Sequence, residues 1–267
     1  MLKDITLGQF FPGNTFMHKL DPRVKLVVCF VFIIVLFITE NLAAYALAAL
    51  FIILGVKVSK TSPKMLLKSL KPIMFLVLFT SILNIFYIEG EVLVRFWILK
   101  VTKEGLMTAF YMTSRIIMLV CATSLLMYTT SPISLTDALE HLLAPLNKVK
   151  FPVHEFSMMM TIAMRFIPTL IEETDKIMAA QKARGADFES GNIFARAKAL
   201  IPILVPLFVS SFRRADELAT AMECRLYQGG EGRTRLNVLK LTKYDYVFMV
   251  FSAISFVLMI LLNVVGI

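Results

Sequence analysis

Two arginines, Arg184 and Arg225, have the side chain and the setting to bind a carboxylate on another molecule. Each ends a stretch whose apolar positions recur at helical spacing, and an aspartate stands nine residues before each, at Asp175 and Asp216. Nine residues turn an α-helix through about 900°, so each aspartate faces away from its arginine and does not neutralise it. A guanidinium at a helix end can donate two parallel hydrogen bonds to one carboxylate. The pattern therefore predicts one structural device used twice, in contacts with two equivalent partners.

The residues beside the two arginines differ. The two tripeptides are Ala183-Arg184-Gly185 and Cys224-Arg225-Leu226. Gly185 is typical of a residue that ends a helix, whereas Leu226 leaves open whether the second helix ends at its arginine or continues for a turn. The alternative for both arginines is a cation that complements the helix dipole, worth about 0.3–1 kcal/mol. Repetition of the pattern favours the partner contact, and the first tripeptide supports it more strongly than the second.

Two further features could take part in binding. Arg115 falls within the apolar stretch Leu106–Met127, where an unpaired guanidinium is costly, so we expect it to pair with protein groups in a structural role. The other feature is a methionine cluster, Met158, Met159, Met160 and Met164. Its soft side chains could repack against different partners, such as a membrane subunit that docks there. Ordinary packing is the alternative.

The sequence lacks the common motifs of catalysis and nucleotide binding. It has no Gly-x-x-x-x-Gly-Lys-Ser/Thr loop and no His-Glu-x-x-His motif, because His154-Glu155 lacks the second histidine. The three cysteines, Cys29, Cys121 and Cys224, have no metal-ligand spacing. We therefore expect a chain that is not an enzyme, with no metal or cofactor of its own. Any energy for its work must come from another subunit.

The composition indicates a membrane protein. Of the 267 residues, 58% are apolar and 18% are charged, which lies outside the range of soluble globular domains. Five apolar stretches approach the roughly 17 to 25 residues that cross a bilayer as a helix, and they predict an all-α polytopic membrane protein. They are Lys25–Thr39, Leu42–Val58, Pro72–Ile88, Leu106–Met127 and Tyr244–Val265. The β-prone stretch Val92–Val101 is too short to cross, and we place it, with Trp97, at the outer interface.

Basic residues are distributed unevenly about these five spans. The net charge of +9 would by itself fit nucleic acid, but its placement fits a membrane. With the amino terminus inside, all but four of the 28 basic residues fall on the cytoplasmic side, as the positive-inside rule requires. The four exceptions are Arg95, Lys100, Lys103 and Arg115. We therefore expect an external carboxyl terminus and no nucleic-acid partner, with the basic segment Lys64–Lys71 against anionic lipids of the bilayer.

The segment between the fourth and fifth spans is amphipathic. It predicts three helices at the inner leaflet, roughly Leu135–Asn147, Val153–Ala183 and Ile193–Leu226. Arginine and proline interrupt the apolar runs Phe156–Ile171 and Ala199–Phe212, so we favour surface helices over two further crossings, which remain the alternative. The predicted domains are 1–131 with four transmembrane helices, 132–243 with the amphipathic helices, and 244–267 with the last transmembrane helix.

Five sequence elements occur in an order that resembles one family. They are Leu20-Asp21-Pro22-Arg23 with Lys25-Leu26, Thr102–Leu106, Arg165-Phe166-Ile167-Pro168, Ala183-Arg184-Gly185 and Gly229–Arg235. In this order the chain resembles the transmembrane T-component of energy-coupling factor transporters, the vitamin and transition-metal importers related to ABC transporters. The resemblance implies a prokaryotic cell-membrane subunit that bridges two cytoplasmic ABC-type ATPases, which hold ATP and Mg, and a small membrane subunit that binds the substrate. It also implies that both arginine motifs enter grooves on the ATPases.

Sequence and resemblance together predict a non-catalytic coupling subunit of an ATP-driven vitamin or metal importer. Closure of the ATPases would move the helix ends at Arg184 and Arg225, and the amphipathic helices would transmit that movement to the substrate-binding subunit. One alternative is a self-contained secondary transporter that binds a small anionic solute at Arg115, and another is a structural membrane scaffold. The sequence specifies neither the substrate nor whether the chain serves one substrate-binding subunit or several.

Overall fold

The computed structural model describes residues 10–96, 99–149, 152–188, 192–229 and 239–265. Their contacts divide them into two compact units. The membrane unit comprises residues 10–138 and 239–265, and the hairpin unit comprises residues 139–229 within the described ranges. Trp97 lies outside the described residues, so its predicted place at the outer interface stays a prediction.

The membrane unit consists of helices and one short hairpin. Its elements are α1 (Phe16–Lys19), α2 (Pro22–Ile38), α3 (Leu42–Ser59), α4 (Pro63–Tyr87), β1 (Val92–Phe96), β2 (Leu99–Thr102), α5 (Lys103–Thr129) and α9 (Lys243–Val265). In the part of the chain that the structure describes, four helices are long and apolar enough to cross a membrane: α3, α4, α5 and α9. The first predicted span corresponds to α2, whose 17 residues lie at the short end of the usual range.

The structure differs from the sequence expectation at α4. This helix runs without interruption from the basic segment through Pro72 into the third predicted span. Proline lacks a backbone N–H and tends to bend a helix without necessarily ending it. The surface segment and the span are therefore one element, which packs mainly on α5. Beyond Lys71, the faces of α4 that do not contact α5 are largely exposed and apolar, with Phe75 80% accessible, as suits a surface in contact with lipid.

Helices α2 and α9 are tied together at both ends. At their starts, the buried carboxylate of Asp245 accepts the backbone N–H of Asp21 at 2.7 Å, and the N–H and hydroxyl of Thr242, each at 2.7 Å. At their ends, the side-chain oxygen of Asn263 accepts the N–H of Glu40 at 2.9 Å, and its amide nitrogen donates to the carbonyl of Ile38 at 3.1 Å. The two helices therefore run parallel to each other.

The apolar core of the membrane unit lies between α2, α3 and α9. Phe32 and Leu36 of α2 pack there with Tyr45 of α3 and with Phe256 and Met259 of α9, all of them buried. Aromatic rings extend this packing, since Phe32 stacks on Phe51 of α3 with centroids 5.6 Å apart. Close packing of large side chains supplies the dispersion energy that holds helices together in lipid, where the hydrophobic effect between helices is absent.

The β-prone stretch between α4 and α5 forms an antiparallel hairpin of β1 and β2, with Arg95 paired to Lys100. Thr102 then begins α5, and its hydroxyl accepts the backbone N–H of Gly105 at 3.1 Å. Glu104, in the first turn, accepts the N–H of Glu91 at 2.7 Å. Acceptors at these positions satisfy free backbone donors and complement the helix dipole. These hydrogen bonds join the β-hairpin of β1 and β2 to the start of α5.

The predicted amphipathic helices lie in the hairpin unit, except that residues 132–138, at the start of the first of them, belong to the membrane unit. Helix α6 (Pro132–Leu143) leads into a 3₁₀ helix (Ala144–Val149), followed by α7 (Val153–Ala183) and α8 (Ile193–Cys224). Helix α7 has the predicted bounds, and α8 ends two residues before the predicted Leu226. Helix α6 begins and ends earlier than predicted, and its last turns become the 3₁₀ helix around Pro145, since proline removes a backbone donor.

Candidate functional site

The end of α7 presents Arg184 on a defined backbone. Arg184 is the C-cap residue with φ −87° and ψ 7°, and Gly185 follows in the left-handed conformation with φ 88°. The N–H of Gly185 donates to the carbonyl of Lys182 at 3.0 Å, and the N–H of Ala186 donates to the carbonyl of Gln181 at 3.0 Å. These two hydrogen bonds define a Schellman motif. The helix therefore ends at the arginine, as predicted from Gly185.

The end of α8 repeats this geometry around Arg225, which has φ −92° and ψ 12°. Leu226 takes the left-handed conformation with φ 56°. Its N–H donates to the carbonyl of Glu223 at 2.8 Å, and the N–H of Tyr227 donates to the carbonyl of Met222 at 3.1 Å. The second helix thus also ends at its arginine, although a left-handed leucine costs about 1–2 kcal/mol. The two ends share one backbone and differ in the side chain that follows the arginine.

Both arginines are available for contacts with another molecule. The residues of both tripeptides are exposed: Ala183, Arg184, Gly185, Cys224, Arg225 and Leu226. Leu226 is 82% accessible. Within the described ranges, neither guanidinium has a hydrogen bond or an ion pair, which agrees with the aspartates Asp175 and Asp216 facing away. Each end therefore offers a free cation beside small or flexible neighbours.

Helices α7 and α8 run antiparallel and are joined by polar contacts. Glu173 of α7 binds Arg214 of α8 at 2.6 Å and also accepts a hydrogen bond from Ser210. Nearer the end of α7, the side-chain amide of Gln181 donates to the carbonyl of Pro202 at 3.4 Å. From Pro202 to Arg225 the axis of α8 covers about 35 Å at about 1.5 Å per residue. The two arginines therefore lie at opposite ends of this helical hairpin.

The methionine cluster does not form a single surface. Consecutive residues of a helix point about 100° apart, so Met158, Met159 and Met160 spread around α7, while Met160 and Met164 share a face. Met159 is 58% accessible and the other three are half-buried. A larger exposed apolar face runs along α8. It consists of Leu200, Ile201, Leu204, Val205, Phe208, Val209 and Phe212.

Arg115 has partners within the membrane unit. Its Nη2 donates to the main-chain carbonyl of Thr39 at 2.9 Å, and its guanidinium carbon lies 5.6 Å from the Phe37 ring and 6.0 Å from the Tyr45 ring. The cation thus binds the carbonyl end of α2, where the helix dipole is negative, and two aromatic faces. Its partner is main chain, and the site lies at the level of the turn between α2 and α3.

Sequence patterns did not reveal two buried polar contacts that hold the helices. Lys25 is buried, and its ammonium donates to the Thr129 carbonyl at 2.9 Å and to the Thr130 hydroxyl at 3.2 Å. The fully buried Asp245 is the other. Both residues are charged and lie in the first turn of an apolar helix. This position could have indicated a buried polar contact, because a charge within an apolar helix needs a partner.

Comparison with known proteins assigns the chain to a family. Residues 13–236 match the family model CbiQ, described as a cobalt transport protein. The chain is 54% identical over 245 residues to the energy-coupling factor transporter transmembrane protein EcfT of Ruminiclostridium cellulolyticum, covering 92% of each chain. The EcfT protein of Bacillus subtilis is 48% identical over 246 residues, covering 92% of this chain and 93% of its own. The EcfT protein of Heliobacterium modesticaldum is 49% identical over 261 residues, covering 98% of each.

The chain belongs to this family. It is the transmembrane component of an energy-coupling factor transporter, a multi-pass membrane protein. The resemblance stated from its sequence motifs is thereby confirmed, and so is the all-α polytopic architecture. The roles of the two tripeptides, the methionine cluster and Arg115 stay predictions, as do the domain bounds and the expectation that the chain holds no cofactor or metal.

Proposed function

We propose that this chain is a non-catalytic coupling subunit that links two cytoplasmic ATPases, which hold ATP and Mg, to a small substrate-binding membrane subunit. One observation carries the proposal: α7 and α8 end in the same Schellman geometry, each presenting a free, exposed arginine. Equal backbones at two helix ends suit two related binding grooves. Their position at opposite ends of the hairpin suits two separate subunits, since one groove could not reach both arginines.

The chemistry at each helix end is a charge-assisted contact. Arg184 and Arg225 each carry a planar set of donors that matches a carboxylate in two parallel hydrogen bonds. When such a pair is buried in a groove, away from water, removing either partner weakens binding by about 2–5 kcal/mol. Each arginine therefore anchors one ATPase, and movement of the ATPases is passed to α7 and α8.

The body of the hairpin transmits this movement. Glu173 of α7 is joined to Arg214 and Ser210 of α8, so displacement at one helix end is passed to the other helix. The exposed apolar face of α8, together with Met159 of α7, supplies a surface for the substrate-binding membrane subunit. Apolar contact there lets the two membrane proteins slide or reorient without breaking charged pairs.

The proposed orientation places the amino terminus in the cytoplasm and the carboxyl terminus outside, in the cell membrane of a prokaryote. It is supported by the basic residues that flank the spans on one side. The parallel course of α2 and α9 also supports it, since the first and last spans then cross in the same direction. The contacts of Arg115 with a carbonyl and two rings favour a structural role for this residue over binding of an anionic solute.

Arginine-to-alanine variants of the assembled transporter test the proposal. We expect Arg184→Ala and Arg225→Ala each to weaken retention of one ATPase, by about 2–5 kcal/mol of binding free energy, and the double variant to lose both ATPases and substrate uptake. Arg213→Ala is the matched control, because Arg213 is an exposed arginine on α8 away from the helix end. Co-purification and uptake in vesicles provide the measurements. A double variant that assembles and transports normally would refute the anchoring role.

A further inference from the structure

A cavity of about 360 Å³ lies inside the membrane unit, between α1, α2, α3, α5 and α9. Its lining residues are apolar except for Lys25, Thr129 and Cys29. The apolar walls include the rings of Phe32, Phe51 and Phe251 and the backbone of Gly55, among others. Lys25 and Thr129 stand at one end of the cavity, because Lys25 lies in the first turn of α2 and Thr129 is the last residue of α5.

The chemistry of the walls selects a hydrocarbon occupant. Water is disfavoured in a space that offers so few polar partners, and an empty apolar cavity forfeits the dispersion contacts of its walls. An engineered apolar cavity of about 150 Å³ holds one benzene ring. By proportion, about 360 Å³ has room for on the order of fourteen carbon atoms, which is the length of one acyl chain. The five helices form a membrane protein, so acyl chains surround them.

The charges around the cavity select an anionic head group. Among the described residues, the Lys25 ammonium donates to Thr129 and Thr130, so one of its three N–H donors has no partner within them. The same ends of the five helices carry more basic than acidic residues. The basic ones are Lys19, Arg23, Lys25, Lys57, Lys60 and Lys243, and the acidic ones are Asp21 and Asp245. Basic residues between membrane helices bind phosphate head groups of lipids.

We infer that this cavity binds one phospholipid, with an acyl chain between α2, α3, α5 and α9 and the phosphate near Lys25. The bound chain fills the space between α9 and the helices that precede it, so it acts as a structural ligand of the membrane unit. This inference concerns the membrane unit alone and does not depend on the proposed contacts with ATPases.

Mass spectrometry of the full chain, purified in detergent with its bound lipids, tests the occupant. We expect one phospholipid per chain for the wild type and less for Cys29→Phe, whose ring fills the cavity. Val27→Phe is the matched control, because Val27 lies on the same helix with an exposed side chain and should leave the bound lipid unchanged. Detergent or free fatty acid as the sole retained molecule, or equal retention in both variants, would overturn the inference.

Labelling of Cys29 provides a second test that needs no cavity-filling variant. In a chain with Cys121→Ala and Cys224→Ala, an apolar maleimide should react faster with Cys29 after removal of lipid. Adding phosphatidylglycerol at about ten times its dissociation constant should slow the reaction roughly tenfold, since about one tenth of the sites stay open. An unchanged rate after lipid is removed and restored would contradict binding at this cavity.

Discussion

Leu226 occupies a position that usually requires glycine. The same position after Arg184 holds Gly185, and both residues have positive φ with the same pair of backbone hydrogen bonds. A Cβ built on Gly185 meets no atom within 4 Å, so any cost of a side chain there comes from the backbone conformation alone. The two helix ends are thus a natural comparison of glycine and leucine in one setting.

Exchanging these residues should change stability in opposite directions. We expect Leu226→Gly to raise the free energy of unfolding by about 1 kcal/mol, because glycine adopts the left-handed conformation without strain. Gly185→Leu should lower it by about 1–2 kcal/mol for the same reason. Thermal unfolding of the full chain in detergent is the measurement. A lower melting temperature for Leu226→Gly would show that the leucine side chain stabilises the chain by contacts.

At the scale of single elements, polar contacts fix how helices pair. Glu173 and Arg214 join α7 to α8 and are partly exposed, at 20% and 37% of their side chains. Water screens such a pair, so its contribution to stability is modest, about 1 kcal/mol or less. Its importance is geometric, since it holds two long helices in one alignment.

Breaking this pair should uncouple transport from ATP hydrolysis. We expect Arg214→Met to leave assembly intact, because both exposed arginines remain, while substrate uptake per ATP hydrolysed falls severalfold. The free energy of unfolding should fall by no more than about 1 kcal/mol. Arg213→Met is the control, since it removes the adjacent, exposed arginine. The measurement is substrate uptake and ATP hydrolysis in the same vesicles. An unchanged ratio of uptake to hydrolysis in Arg214→Met would argue against a role of the Glu173–Arg214 pair in coupling.

The buried Asp245 should matter more for stability. Its carboxylate accepts three hydrogen bonds that join the start of α9 to the start of α2. In Asp245→Asn an NH2 donor replaces one of the two carboxylate oxygens and faces a backbone N–H, that of Asp21 or that of Thr242, so we expect the free energy of unfolding to fall by about 1–3 kcal/mol. Asp216→Asn, at an exposed position, should leave the melting temperature unchanged. Equal melting temperatures for both variants would exclude this anchoring role.

The helices could be predicted from sequence where the chemistry of their ends is local. Gly185 marks the end of α7, and its bounds were predicted correctly. The end of α8 was not, because leucine carries no signal for a helix end, and the constraint comes from the backbone hydrogen bonds of Leu226 and Tyr227. The partner of Arg115 could not be predicted either, because it is a main-chain carbonyl, which every residue has.

At the scale of the whole molecule, the distribution of basic residues favours an amino terminus in the cytoplasm. The parallel course of α2 and α9 then places the carboxyl terminus on the opposite side of the membrane. Reporter fusions test it. We expect green fluorescent protein to fluoresce at the amino terminus and to stay dark at the carboxyl terminus, where alkaline phosphatase should instead be active. Each reporter serves as the control for the other. A fluorescent carboxyl-terminal fusion would require an even number of crossings.

The contact of Glu173 with Arg214 has a consequence for how work is shared. Glu173 stands as many residues before Arg184 as Arg214 stands before Arg225, so the arm from the contact to either helix end measures about 17 Å at about 1.5 Å per residue. The two arms are therefore equal in length, and a movement of either helix end of a given size produces the same rotation about the contact. Two different ATPases bound at the two ends would then contribute equally to the movement of the helical hairpin.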